Sequence, residues 1–82
     1  MTTKINEKIK VGAVFGKGGV EPKWFKWQGR RIEIKETTYN WKTLDGAAEV
    51  LHFSAMSEGG SYELSFNQKT LVWVLEKSDG EL

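Results

Sequence analysis

Apolar and polar residues alternate along most of this chain with a period of two. Ile9, Val11, Ala13 and Phe15 alternate with Lys8, Lys10 and Gly12, the pattern of a strand with one face buried. Residues 1–7 are polar and are expected to form a loose N-terminal arm. Gly16-Lys17-Gly18-Gly19 breaks the alternation. It lacks the Gly-Lys-Ser/Thr ending of a phosphate loop and reads as a flexible connection.

The stretch from Pro22 to Lys35 organises the rest, with an apolar run on each side of Gln28-Gly29. A two-residue turn there sets Trp27 opposite Arg30, Phe25 opposite Ile32 and Lys23 opposite Ile34. Phe25, Trp27, Ile32 and Ile34 then share one face, and Trp24, Lys26, Arg31, Glu33 and Lys35 share the other. A three-residue loop with a glycine bulge would instead pair Trp24 with Ile32 and turn Phe25 outward. The first register is preferred because it gathers more apolar groups, and a slip of one residue would reverse every assignment.

Strand character continues through Thr37-Thr38-Tyr39 and is expected to end near Asn40-Trp41. Asp45-Gly46 signals a turn, with room for one short helical turn at Ala47-Ala48. Leu51, Phe53 and Ala55 alternate with Val50, His52 and Ser54 as a further strand. A hairpin at Gly59-Gly60 would pair Ala55 with Leu64 and Phe53 with Phe66. A turn at Gln68-Lys69 would then pair Phe66 with Leu71, Leu64 with Trp73 and Tyr62 with Leu75. Val72 and Val74 make the last strand apolar on both faces, which places it inside the sheet and not at an edge. Ser78-Asp79-Gly80 ends it.

These elements predict an all-β fold: one domain over residues 1–82, a small antiparallel barrel of about six strands, SH3-like or, as second choice, OB-like. Its expected core is Phe25, Trp27, Ile32, Ile34, Leu51, Phe53, Tyr62, Leu64, Phe66, Leu71, Trp73 and Leu75. Eighty-two residues allow a single core, and a chain this short must make it rich per residue. Tyr39 and Trp41 are therefore assigned to core or barrel-end packing.

Composition narrows the chemistry. With no cysteine and one histidine, His52, neither a disulfide nor a Cys/His metal site is expected, and no cofactor is implied. A cytoplasmic protein without a membrane segment is expected, because MTTKINEKIK is too polar for a signal peptide and no apolar run approaches spanning length. His52 and Ser54 share the outer face of one strand but have no evident third member. Glu33 with Glu36, or Asp45 with Glu49, are carboxylate pairs of the kind that arise by chance among eleven acids. The chain is read as a binding module and not as an enzyme.

The total charge of +1 is uninformative, but residues 21–35 hold five basic groups against two acidic ones. The candidate site is the outer face of the hairpin: Trp24, Lys26 and Arg31, with Lys35 beyond. Cations beside an exposed ring are the ingredients for single-stranded DNA or RNA, the former on phosphates and the latter for stacking. Against this stands plain packing, with another strand over Trp24 and the long basic side chains lying along apolar surface. A protein partner is the third reading, as a peptide groove of aromatics beside Asp45, Glu49 and Glu58 or through an exposed sheet edge.

The run Pro22, Phe25, Trp27, Gly29, Arg30, Arg31, Ile32 and Ile34, with Trp41 and Trp73-Val74-Leu75-Glu76 further on, resembles a bacterial family of small uncharacterised β domains. Their pattern is R-P-x-x-F-x-W-x-G-R-x-Y-x-V, and some members accompany error-prone DNA polymerase proteins. The resemblance implies a small β fold and a link to DNA metabolism. It covers most of residues 20–76 and carries over no catalytic residue. Glu21, Trp24 and Ile32 stand where the pattern has Arg, a small residue and Tyr.

Overall fold

In the computed structural model, which describes residues 2–80, the chain forms one antiparallel sheet of seven strands. They are β1 (Thr2–Gly16), β2 (Gly19–Trp27), β3 (Arg30–Glu33), β4 (Glu36–Asp45), β5 (Ala48–Ser57), β6 (Gly60–Asn67) and β7 (Val72–Gly80). Their order across the sheet is β3-β2-β1-β7-β6-β5-β4. The two edge strands are thus consecutive in the chain. Ile34 N donates to Lys23 O on β2 at 2.9 Å, and the next amide, Lys35 N, donates to Met56 O on β5 at 2.7 Å. This change of partner between adjacent residues curls the sheet into a half-barrel whose edges meet at one corner.

That corner explains the seventh strand. The sequence read Arg30 to Asn40 as one strand, but it is divided at Ile34-Lys35, where the backbone switches from one side of the sheet to the other. β4 also runs past the expected end, to Asp45, because β5 offers it a full-length partner. Residues 2–7, expected as a loose arm, belong to β1. Thr2, Thr3 and Lys4 pair with Asp79, Ser78 and Lys77 of β7 across a bulge at which Asn6 has a φ of 54°. Backbone pairing needs an open edge and no apolar side chains, so polarity was a poor guide there.

The Gln28-Gly29 hairpin has the preferred register, with Trp27 opposite Arg30 and Phe25 opposite Ile32. Both turn residues have positive φ, 53° and 73°, as a two-residue turn matching strand twist requires. β7 lies between β1 and β6, as its two apolar faces indicated.

Two other hairpins differ from expectation by an even step. The β5–β6 turn falls at Glu58-Gly59, so Phe53 meets Leu64 and Ala55 meets Tyr62. The β6–β7 connection is a four-residue loop, and Phe66 meets Trp73 while Leu64 meets Leu75. Asn67 builds this loop: its Oδ1 accepts from the amides of Lys69 and Thr70 at 2.9 and 3.0 Å. Leu71 is consequently no core residue. It sits in the loop with φ 63° and 69% of its surface exposed.

The rest of the expected core is buried or packed against it, with Ile34 and Leu51 at its margin. Tyr62 ties the two halves of the curl together, meeting Phe25 edge-on at 5.1 Å and Trp27 at 6.3 Å. Such contacts add about 0.5–1.5 kcal/mol each beyond the area they bury. The concave side of the sheet is therefore packed around Tyr62, and the candidate residues of the Gln28-Gly29 hairpin lie on the outer face.

Candidate nucleic-acid interface

The outer face of β1, β2 and β3 carries a row of three cations. Lys26 lies opposite Arg31 on one side and opposite Lys10 on the other. Directly opposed residues on one face have Cβ atoms about 4.5–5.5 Å apart, so the three side chains leave the sheet as neighbours. Among the described residues neither Lys10 nor Lys26 pairs with an acid. The next row is Gly12, Trp24 and Glu33.

Trp24 is not the open ring the sequence suggested. Its indole lies against Gly12: a Cβ on that glycine would stand 2.2 Å from Trp24 Cε2 and Nε1. Above it, the Arg31 guanidinium carbon is 4.4 Å from the ring centroid, and Arg31 Nε donates to Glu33 Oε2 at 2.5 Å. The ring is thus caged between backbone and guanidinium, and its role changes from presenting a face to holding an arginine.

Lys35 stands apart. It occupies the corner after β3, and its Nζ pairs with Glu58 Oε1 at 3.1 Å. With Arg30, Arg31, Glu33 and Glu58 it lines a mixed-charge cleft of about 490 Å³ between β3 and the β5–β6 turn. The structure therefore brings Trp24, Lys26 and Arg31 together and leaves Lys35 on a neighbouring surface.

Sequence reasoning missed Lys10, and the signal was present. A two-residue turn at Lys17-Gly18 pairs Gly16 with Gly19 and Phe15 with Val20. Continued without a break, that register would set outward Lys10 against inward Phe25. The conflict is relieved by a bulge at Lys23, after which Lys10 meets Lys26.

A second group on the outer face was also missed. Trp41 stacks on His52 across β4 and β5, with ring centroids 5.1 Å apart and planes within 8°. Tyr39 leans on Trp41 at 5.4 Å and is 66% exposed. Neither aromatic is in the core, because a bulge between Thr37 and Tyr39 and the outward parity of β4 turn them away from it. His52 Nε2 lies 2.7 Å from Thr43 Oγ1, while its buried Nδ1 has no partner among the described residues and Glu63 stands 4.0 Å away. His52 therefore bonds Thr43 and not Ser54. A shallow trough runs from His52 past Ser65 and Val74, with Asp45 and Glu76 among its walls and Lys8 at its far side.

One member of each expected carboxylate pair is engaged elsewhere. Glu33 is engaged by Arg31, and Glu49 accepts from Gln68 Nε2 at 3.0 Å. Among the described residues no group of three His, Cys, Asp or Glu is placed to hold a metal. Among the described residues no helix is long and apolar enough to cross a membrane. No protein-family model, curated protein or solved structure matches the chain.

Proposed function

We propose that this domain is a non-catalytic accessory module that holds single-stranded nucleic acid by its sugar–phosphate backbone, along the outer face of β1, β2 and β3. The row Lys10–Lys26–Arg31 carries the reading. Like charges set directly opposite one another cost stability, up to about 1 kcal/mol per pair, and a polyanion converts that cost into attraction. In this reading the curled sheet is an SH3-like or OB-like barrel, the protein is cytoplasmic, and the motif resemblance to polymerase-associated domains implies a link to DNA metabolism. Phosphate contacts position a strand without reading its sequence, so little base preference is expected.

Fluorescence anisotropy with a labelled thymidine dodecamer across a salt series tests this. Three cations predict a log–log salt slope of about −2, at about −0.7 for each phosphate neutralised on a single strand. Lys26→Ala and Lys10→Ala each flatten it by about 0.7. Absence of binding at low salt would overturn the reading.

One observation favours a second reading, a peptide-binding module. Exposed Tyr39, resting on Trp41 beside a trough that contains Asp45 and Glu76, suits an extended basic peptide. A lysine-rich peptide competing at Tyr39 and insensitive to Lys26→Ala would support it.

A further inference from the structure

The cation row rests on two flexible lysines and one arginine that is already held in place. Arg31 has two anchors: the Trp24 face beneath its guanidinium and the Glu33 carboxylate on its Nε. Its Nη1 and Nη2 groups make no bond within the described residues, and 54% of the side chain remains open to solvent. A guanidinium fixed through its face and its Nε still presents two parallel N–H donors along its outer edge. That fork matches two oxygens of a phosphate, which a lysine ammonium cannot match. Lys26 lies directly opposite Arg31, and Lys10 one strand further on, so further positive charge stands beside the fork.

We infer that Trp24 is a positioning residue, which holds Arg31 as a preformed fork for one backbone phosphate, with Lys26 and Lys10 completing the anion site. The inference rests on the nucleic-acid reading and specifies how that site takes its ligand. The caging of Trp24 gives the tryptophan its purpose. Gly12 leaves room for the indole, the indole sets the height of the guanidinium, and Glu33 sets its rotation. Holding the side chain in advance removes rotamer entropy that binding would otherwise lose. The recognised group is the phosphodiester, so single-stranded DNA and RNA should both serve, and the bases should contribute little.

The test uses the whole chain with two ligands, a thymidine dodecamer and an abasic dodecamer with the same number of phosphates. Arg31→Lys keeps the charge and removes the fork. It should weaken both ligands about fivefold to tenfold while leaving the salt slope unchanged. Trp24→Ala should weaken both to a similar degree, again at unchanged slope, and should cost nothing further in an Arg31→Ala background. Trp24→Phe restores a flat ring under the guanidinium and should recover most of the affinity; it also serves if Trp24→Ala folds poorly. A Trp24→Ala loss confined to the base-bearing dodecamer, and persisting without Arg31, would show that the indole stacks on bases. That result overturns the inference and leaves the nucleic-acid reading standing. If neither dodecamer binds at low salt, both fall.

Discussion

Trp24 and Trp41 are both half-buried on the outer face of the same sheet, yet their surroundings are opposite. Trp24 lies among cations, with glycine backbone below it and Arg31 above it. Trp41 lies in a column of rings between His52 and Tyr39, and His52 in turn borders a trough with Asp45 and Glu76 in its walls. Where the charge is positive the ring is closed, and where a ring is open the nearby charge is mixed, with Lys8 across the trough from Asp45 and Lys77 paired with Glu63. A platform for stacked bases needs cations and an open ring in one place. This sheet separates them, which in the proposed reading leaves phosphates to the cationic side and no stacking platform beside it.

The largest effect that would break this contrast is Gly12→Ala. The new Cβ would force the indole off its seat, since 2.2 Å is far inside van der Waals contact. A cost of about 1–3 kcal/mol is expected, read as a lower urea midpoint at unchanged slope. Among the described residues no comparable glycine is placed against Trp41, which stacks on His52. Thr43→Val tests that side by removing the hydroxyl bonded to His52 Nε2, at an expected cost of about 0.5–1.5 kcal/mol by the same assay. Arg31→Ala opens the cage from above and should cost only about 0.5–1 kcal/mol, because the cation–π contact is partly solvated. It should also make indole fluorescence more accessible to acrylamide. Tyr39→Ala, at an exposed position, should stay within about 0.5 kcal/mol of the parent.

The alternation of apolar residues was enough to assign faces, and less able to assign partners. Both the β5–β6 and β6–β7 hairpins moved by an even number of residues from the expected pairing. An even shift keeps every side chain on its own face, so Phe53, Leu64, Phe66 and Trp73 remained inside although their neighbours changed. Leu71 was misplaced for a different reason. Asn67 closes the loop with its own side chain, a local bond that competes with strand extension and leaves no mark on the apolar pattern.

At the candidate site, the facing of Lys26 and Arg31 followed from the glycine turn, whereas Lys10 required the bulge at Lys23. The caging of Trp24 was hidden for a further reason. It depends on the absence of a Cβ at Gly12, twelve residues away in the chain and adjacent only through β1–β2 pairing. A small domain's need for its aromatics assigns Tyr39 and Trp41 to core or barrel-end packing. The core proved sufficient with Phe25, Trp27, Phe53, Tyr62, Phe66 and Trp73, and the remaining rings were left outside.

The separation of charge from open rings is tested most directly by one NMR titration of the labelled protein with a thymidine dodecamer at low salt, following backbone amides and the four indole N–H signals. The account predicts progressive shifts at Lys10, Lys26 and Arg31 and at the Trp24 indole, with Tyr39, Trp41 and His52 unmoved. Shifts confined to Tyr39, Trp41 and His52, or no shifts anywhere, would contradict it.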